Sequence, residues 1–196
     1  MSADLVRPLL LLASSSPRRR DLLARIEVIP DRVASPDIDE TPHQGELPRD
    51  YALRLAEEKA RAVARGDGEI VLAGDTTVAA GRRILQQATD AAMNRRFLEL
   101  LSGRRHRVYS AVSVIGADGA QRSKCTESIV KFKPLHPNEI AAYVASGEGI
   151  GKAGGYAIQG RAEALILWMS GSHSGVVGLP LYETRLLLKQ GGYPLD

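Results

Sequence analysis

The sequence predicts an α/β protein with a mixed β-sheet flanked by helices. Short, mostly apolar runs at 9–13 and 69–73 are typical of strands buried on both faces. Segments with helical periodicity lie between and after these runs, and an alternating, β-branched stretch at 106–132 is typical of a long hairpin. Strands and helices therefore interleave along the chain, which is the pattern of an α/β fold with a mixed sheet.

The N-terminal segments predict a strand, a turn and a helix in that order. The strand is the apolar run at 9–13. Ser16 and Pro17 then fit an N-cap followed by a proline at the first helical position, and apolar residues follow at helical spacing up to residue 26. The next stretch, 35–48, is polar and contains three prolines, so we expect a loop there.

The rest of the chain continues the alternation. A helix is expected over 49–65, and the strand at 69–73 is expected to end at Gly74 and Asp75. The remaining predicted elements are a short hairpin over 76–85 turning at Gly81, a helix over 90–101 capped by Thr89 and stopped by Gly103, the hairpin over 106–132, a helix over 137–146 stopped by Gly147, one or two strands over 156–169, and a last helix over 180–189.

Composition narrows the class of protein. The 196 residues suit one domain, or two small lobes around a shared core, and 44% apolar with 25% charged residues is an ordinary globular balance. The single cysteine, Cys125, excludes an intramolecular disulfide and a multi-cysteine zinc site, and favours a reducing compartment. No run approaches the roughly 18 apolar residues of a membrane span, and the run at 9–13 does not resemble a signal peptide. We therefore expect a cytoplasmic protein without a membrane partner.

A serine-rich turn at 14–19 combines several features of a phosphate site. It precedes a predicted helix, whose free N–H groups and dipole attract anions. The serine hydroxyls can donate to phosphate oxygens, and Arg18 and Arg19 can clamp them in bidentate fashion. The Gly-x-x-x-x-Gly-Lys pattern of a P-loop is missing. The alternative interpretation is simple helix capping with solvated arginines.

Asp75 comes directly after the second predicted strand. Ligands of open α/β sheets collect at the carboxyl ends of strands, and a carboxylate there can bind a divalent metal or activate water for attack on phosphorus. An aspartate at a strand end can equally be a turn former, so its position alone leaves both roles open.

Two glycine-rich segments, 152–160 and 171–180, allow a ligand to approach the backbone closely. In the first, Gln159 offers a donor and an acceptor that suit the edge of a nucleobase. In the second, His173 fits a loop residue better than a catalytic base. Either segment can also be a plain loop.

Arginines cluster at 18–20 and again at 104–107, and such clusters attract phosphates of nucleotides or of nucleic acids. Aromatic residues make up only 5% of the chain and suggest no stacking platform, which argues against a nucleic-acid partner.

Taken together and in order, these segments resemble the Maf family of nucleotide pyrophosphatases. The matching segments are Leu-Ala-Ser-x-Ser-Pro-Arg-Arg at 12–19, Glu-Lys-Ala at 58–60, Gly-Asp-Thr at 74–76, Leu-Ser-Gly-Arg at 101–104, Lys-Ala-Gly-x-Tyr-x-Ile-Gln-Gly at 152–160 and Val-Gly-Leu-Pro at 177–180. They run nearly from end to end of the chain.

The resemblance implies a single Maf-like domain over residues 1–196, with two lobes around a deep cleft as in Maf and inosine triphosphatase folds. It implies a homodimer that uses a divalent cation, Mg²⁺ or Mn²⁺, and cuts a nucleoside triphosphate to the monophosphate and pyrophosphate. Gly-Asp-Thr and Tyr-x-Ile-Gln-Gly point to the branch that acts on dTTP and UTP, normal or modified.

The resemblance also implies roles for individual residues. Asp75 is implied as the catalytic carboxylate that accepts a proton from water, and as a metal ligand with Glu40. The implied substrate-binding residues are Ser14, Ser16, Arg18, Arg19, Lys59, Thr76 and Gln159, of which Arg18, Thr76 and Gln159 occupy specificity positions.

One departure from the family pattern concerns Gln87, which stands where related chains carry a phosphate-contacting lysine. Loss of one preorganised donor costs roughly 100- to 1000-fold in rate, unless Arg82 or Arg83 from the adjacent turn replaces it. A nucleotide-binding regulator with weak or no turnover is therefore the alternative function.

Overall fold

The computed structural model describes residues 7–195. Within that range the chain forms one seven-stranded sheet with helices on both faces. The strands are β1 (Leu10–Ala13), β2 (Arg32–Ala34), β3 (Ile70–Ala80), β4 (Arg83–Leu85), β5 (Arg105–Ile115), β6 (Gln121–Phe132) and β7 (Ile166–Ser170). The helices are α1 (Pro17–Ala24), α2 (Pro48–Arg61), α3 (Ala91–Leu101), α4 (Pro137–Ala145), α5 (His173–Val177) and α6 (Leu181–Gln190), with a 3₁₀ turn at Arg161–Leu165.

The sheet is mixed, which confirms the predicted fold class. Its spatial order is β2–β1–β3–β5–β6–β7, and β4 forms a hairpin with β3. Strand β1 runs parallel to β2 and β3, whereas β3, β5, β6 and β7 pair in antiparallel fashion. No helix among residues 7–195 has the length and apolar character needed to cross a membrane.

Strand β1 is buried on both faces, as its continuous apolar sequence predicted. Side chains alternate across a strand, so Leu10 and Leu12 pack into the main core while Leu11 and Ala13 pack into a smaller cluster on the other face. Ala60 of α2 belongs to that smaller cluster, which fixes α2 against the sheet. Helix α1 contributes Leu22 and Leu23 to the main core.

Strand β3 is longer than predicted, because it does not end at Gly74 and Asp75. Its parallel pairing with β1 stops at Ala73, but its antiparallel pairing with β5 continues to Ala79. The backbone of Asp75 is therefore held by β5 opposite Ala111, and only the β1 side of β3 becomes open there. This opening places Asp75 beside the turn that follows β1.

Other boundaries also differ from the sequence prediction. Residues 156–160 form turns and no strand, because the preceding Gly154 and Gly155 adopt positive φ and reverse the chain. Asp90, not Thr89, caps α3, since its carboxylate accepts a hydrogen bond from the Met93 N–H at 2.7 Å. The short elements β2 and α5 were not predicted, since neither has enough residues to show a period.

Candidate active site

The residues that the sequence singled out lie together around one cavity, which we call the main cavity. It has a volume of about 250 Å³ and opens where the parallel pairing of β1 with β3 ends. Its wall includes all nine predicted site residues, namely Ser14, Ser16, Arg18, Arg19, Glu40, Lys59, Asp75, Thr76 and Gln159.

Three charged side chains are linked by two ion pairs along part of the cavity wall. Lys59 donates a hydrogen bond of 2.9 Å to Oδ1 of Asp75 and makes an ion pair of 3.0 Å with Glu40. Lys59 and Asp75 are each only 7% exposed, whereas the Glu40 side chain is 48% exposed. The ammonium group therefore bridges a buried carboxylate and one that reaches solvent.

The helical period of α2 explains how Lys59 reaches this position. Residues Ala52, Leu55 and Ala56 form the buried stripe of the helix, and Lys59 lies three to four residues further along the same stripe. The stripe packs against β3 and β5. A charged residue on this face can only be accommodated by a partner, and Asp75 on β3 supplies it.

The two threonines after Asp75 have different surroundings because successive side chains of a strand point to opposite faces. The Thr77 hydroxyl donates a hydrogen bond of 2.9 Å to Oδ2 of Asp75. The Thr76 hydroxyl is buried without a hydrogen-bond partner and lines the main cavity. Thr77 thus orients the carboxylate, while Thr76 has an unused polar atom at the cavity wall.

The serine-rich turn forms another part of the cavity wall. Ser14 is buried, and its hydroxyl oxygen accepts hydrogen bonds from the Ser16 N–H at 3.2 Å and from Arg19 Nη1 at 2.8 Å. Arg19 also donates from Nε to the Gly178 carbonyl at 2.9 Å. Ser16 occupies the N-cap position of α1 without capping it through its side chain. Its hydroxyl therefore remains available to a ligand.

Burial affects both arginines of this turn. It lowers the pKa of Arg18 from its ordinary value, and it lowers the pKa of Arg19 although the nearby Asp75 carboxylate acts in the opposite direction. Arg19 is held by Ser14 and Gly178, whereas Arg18 makes no side-chain hydrogen bond or ion pair within residues 7–195. Arg18 is thus the more available cation.

Gly74 is packed closely against its neighbours. A Cβ at this position would lie 3.0 Å from the Ala111 carbonyl oxygen, 3.3 Å from Leu179 and 3.5 Å from Nε of Arg19. The first two distances are shorter than most real Cβ contacts, so a side chain here would require the Ala111 backbone or Leu179 to shift by a few tenths of an ångström, whereas the distance to Arg19 is an ordinary contact. Gly74 therefore lets β3 pair closely with β5 and pack against Leu179 directly before Asp75.

The loop that carries Glu40 is fixed by residues that the sequence analysis did not select. Tyr51 donates a hydrogen bond of 2.7 Å to the Glu40 carbonyl, and burial, with the charges of Asp75 and Glu40, raises the pKa of Tyr51 to about 12. Arg54 bonds to Glu46 at 2.7 Å and to the Thr41 carbonyl at 3.2 Å. The proline-rich loop is consequently attached to α2 at Glu40 and at the residues that follow it.

The glycine-rich loop that carries Gln159 is attached through buried polar groups. Asn94, which is 0% exposed, donates to the Gly155 carbonyl at 2.6 Å. Tyr156 shares a hydrogen bond of 2.8 Å with Nε2 of His106, and burial lowers the pKa of His106 to about 4. Gln159 itself is exposed at the cavity rim, where its amide is free to contact a ligand.

A second cavity of about 480 Å³ adjoins the first and shares Glu40, Asp75 and Thr76 with it. Gln87 lines both cavities, whereas Arg82 and Arg83 are exposed at the turn and line neither. The structure therefore does not bring these two arginines into the position that the sequence analysis considered for them. His173 begins α5 and also lies outside the lining of both cavities.

Two carboxylates converge on this site, which bears on the metal that the family resemblance implies. Glu40 and Asp75 lie at 3.0 Å and 2.9 Å from the same Lys59 ammonium. No group of three or more metal-binding side chains occurs among the described residues. Mg²⁺ is commonly held by one or two carboxylates together with water and substrate phosphates, so this donor set fits a cation that binds with its substrate.

Comparison with known proteins identifies close relatives over nearly the whole chain. The family model described as Maf-like protein matches residues 9–191. A protein of Sphingopyxis alaskensis named dTTP/UTP pyrophosphatase is 65% identical over 188 residues, covering 96% of this chain and 99% of that protein. A protein of the same name from Novosphingobium aromaticivorans is 61% identical over 186 residues, covering 94% and 92%.

Among solved structures, a HAM1 protein from Coxiella burnetii matches with a TM-score of 0.51 at 15% identity, covering 93% of this chain and 99% of that one. At this level of identity the match concerns the fold, and it agrees with the mixed α/β sheet described above.

Proposed function

The chain belongs to the Maf-like protein family, and from that premise we propose that it is a nucleoside triphosphate pyrophosphatase acting on dTTP and UTP. The reaction is hydrolysis of the bond between the α and β phosphates, giving the monophosphate and pyrophosphate. Relatives that are 52% to 65% identical carry the name dTTP/UTP pyrophosphatase, which supports this substrate class.

The observation that carries the proposal is the meeting of a buried carboxylate and several cations in one small cavity. Asp75 lies at the wall that also holds Arg18, Arg19 and Lys59. A polyphosphate needs cations to hold it, and its hydrolysis needs a group that takes a proton from water. Groups of both kinds line this cavity, which supports the proposal.

In the proposed mechanism Asp75 accepts a proton from a water molecule as the water oxygen attacks phosphorus. The bond between the α phosphorus and the oxygen that bridges it to the β phosphate breaks as water attacks. This oxygen leaves with the pyrophosphate and keeps the bonding electron pair. Lys59 and Thr77 occupy one lone pair on each Asp75 oxygen. Each oxygen retains a second acceptor position, so the carboxylate is oriented and still able to bind water.

The serine-rich turn holds the phosphates in this proposal. Ser16 and Arg18, at the start of α1, line the main cavity, and helix N-termini favour anions. Arg18 has no partner among the described side chains and is available for a bidentate phosphate contact. Because Ser14 already holds Arg19 in place, the guanidinium of Arg19 attracts the phosphates from a fixed position.

Recognition of the base is assigned to Thr76 and Gln159, which also line the cavity. The unpartnered Thr76 hydroxyl and the exposed Gln159 amide offer donors and acceptors of the kind that a pyrimidine edge requires. A buried hydroxyl without a protein partner favours a hydrogen bond to a ligand in the cavity.

A divalent cation, Mg²⁺ or Mn²⁺, is included in the proposal, with Glu40 and Asp75 as its protein ligands. When bound, it would neutralise part of the negative charge of the phosphates.

We further propose a cytoplasmic homodimer of single-domain subunits, each with two lobes around the site. The single sheet that extends from β2 to β7 supports one domain, and the single cysteine suits a reducing compartment.

The proposal is tested by incubating the purified protein with a panel of nucleoside triphosphates and Mg²⁺ or Mn²⁺. We expect dTTP and UTP to yield monophosphate and pyrophosphate faster than purine nucleotides do, and a chelator to stop the reaction. Release of orthophosphate from the γ position contradicts the bond assignment, and equal rates for all bases contradict the specificity.

A further inference from the structure

Lys152 is a cation of the main cavity to which no role has so far been assigned. It begins the glycine-rich segment, is partly buried and lines the cavity together with Arg18. Its ammonium is 3.4 Å from the Ile150 carbonyl, and it forms no ion pair with a carboxylate within residues 7–195. Its charge is therefore not neutralised by a direct ion pair at the cavity wall.

The backbone holds Lys152 firmly in place. Its N–H donates to the Gly149 carbonyl at 3.2 Å, and its carbonyl accepts from the N–H groups of Ala88 at 3.1 Å and Gly155 at 2.9 Å. The next residue, Ala153, pairs with Gln87 in an isolated bridge. The lysine is thus anchored between two segments that both line the cavity, which is the arrangement of a preorganised contact.

The electrostatic surroundings of Lys152 favour an anion. Burial and the positive charge of Arg18 both lower its pKa from the ordinary value. Glu148 acts in the opposite direction, but its carboxylate already accepts hydrogen bonds from Tyr143 at 2.9 Å and from the Arg161 N–H at 3.0 Å. Two unpaired cations at one partly desolvated wall are unfavourable unless an anion lies between them.

We propose that Lys152 and Arg18 form a clamp for the two phosphates that leave as pyrophosphate. The proposal rests on the proposed function and adds a residue and a subsite to it. The other cations of the cavity have different tasks, because Lys59 is paired with Glu40 and Asp75, and Arg19 is fixed by Ser14 and Gly178. Lys152 and Arg18 are the pair left to bind the terminal phosphates.

The experiment compares the parent protein with Lys152→Gln, Lys152→Arg and the control Lys124→Gln, whose lysine is exposed on β6 and lines neither cavity. Affinities for inorganic pyrophosphate and for UMP are measured by titration calorimetry with Mg²⁺ present. Lys152→Gln is expected to bind pyrophosphate about tenfold to a hundredfold more weakly, with UMP affinity unchanged. Lys152→Arg is expected to retain most of the affinity, and Lys124→Gln all of it.

A loss of pyrophosphate affinity below about twofold, or an equal loss for UMP, overturns the clamp. Because both probes are product molecules, the titrations need no turnover. A parent that binds pyrophosphate through Lys152 and hydrolyses no triphosphate therefore contradicts the proposed function alone, and a hydrolysing parent that is insensitive to Lys152→Gln contradicts the clamp alone.

Discussion

Lys59 on α2 donates a hydrogen bond of 2.9 Å to Asp75 on β3, and both side chains are buried. This pair connects the helix that carries the Glu40 loop to the strand that carries the proposed catalytic base. Its geometry gives Asp75 a fixed orientation and leaves one face of the carboxylate toward the cavity. A change to either residue is therefore expected to affect both stability and the proposed reaction.

Replacing Asp75 with asparagine is expected to lower kcat for dTTP or UTP by about 100- to 10,000-fold, because the amide cannot take a proton from water. The fold should survive, since asparagine has the same size and Lys59 keeps its contact with Glu40 at 3.0 Å. Steady-state kinetics and thermal melting measure the two effects. Asp37→Asn, an exposed residue outside both cavities, is the control. Near-normal turnover of a folded Asp75→Asn variant contradicts the assignment.

Lys59→Met is expected to destabilise the protein by about 3 kcal/mol, because it leaves the Asp75 carboxylate buried without its cation. Adding Asp75→Asn to that variant should recover part of the loss, since the uncompensated charge is then gone. Urea denaturation of the parent, the two single variants and the double variant completes a double-mutant cycle, which gives the coupling free energy between Lys59 and Asp75. Strictly additive effects show that the hydrogen bond seen in the structure contributes no coupling.

Much of the fold followed from the sequence, because buried strands and amphipathic helices carry strong local patterns. Strand β1, helix α3 and the β5–β6 hairpin lie where they were expected. The end of β3 was misplaced because its continuation past Asp75 depends on pairing with β5, which no local pattern reveals. The three-residue β2 is likewise held by its neighbour β1 and not by its own period.

The site was predictable as a set of residues, but its internal contacts were not. Every site residue predicted from the sequence lines the main cavity, although its wall also includes residues that were not predicted, such as Ser35, Pro36 and Val78. The sequence motifs did not reveal Thr77, which orients Asp75, or Tyr51, which holds the Glu40 loop. Both are ordinary helix or strand residues whose roles arise only when elements pack together. The alternation of a strand was the available signal for Thr77, since it shares a face with Asp75.

The two threonines next to Asp75 provide a matched comparison. Thr77→Val removes the hydrogen bond to Oδ2 of Asp75 and is expected to lower kcat about tenfold with little change in KM. Thr76→Val removes a hydroxyl that faces the cavity, so KM for the preferred nucleotide should rise instead. Both substitutions replace a hydroxyl group with a methyl group, and the two residues are adjacent in the sequence. Identical kinetic effects of the two substitutions contradict these separate roles.

His106 is expected to make the protein less stable in mild acid. Burial lowers its pKa to about 4 in the folded protein, against an ordinary value of 6.5. Between these values the unfolded chain binds more protons at this residue than the folded one, so the contribution of His106 to stability falls as the pH decreases from 6.5 toward 4 and changes no further below that. The contribution is about 3 kcal/mol over the full interval.

His106→Gln isolates this effect, because glutamine can still contact the Tyr156 hydroxyl but does not titrate. Urea denaturation at pH 7 and pH 4.5 is expected to show a smaller loss of stability for this variant than for the parent. His43→Gln, at an exposed loop residue, should behave like the parent. Equal losses for the parent and His106→Gln show that other groups account for the acid sensitivity.

The last prediction concerns Gln87, which lines both cavities and is exposed at their border. Gln87→Lys places a further cation beside the triphosphate, and we expect a gain in kcat of about tenfold, equivalent to about 1.4 kcal/mol of transition-state stabilisation. Gln86→Lys is the matched control, because Gln86 lines only the second cavity. A gain in kcat with unchanged KM indicates that the added lysine acts mainly in the transition state.

The effect of Gln87→Lys can also be measured in the Lys152→Gln variant. Ala153 pairs with Gln87, so a lysine at position 87 lies close to Lys152 and can serve the same phosphates. Gln87→Lys should therefore restore part of the pyrophosphate affinity that Lys152→Gln removes. If neither the parent nor the Lys152→Gln background responds to Gln87→Lys, residue 87 does not contact the triphosphate, and the proposed placement of the phosphates along this edge is wrong.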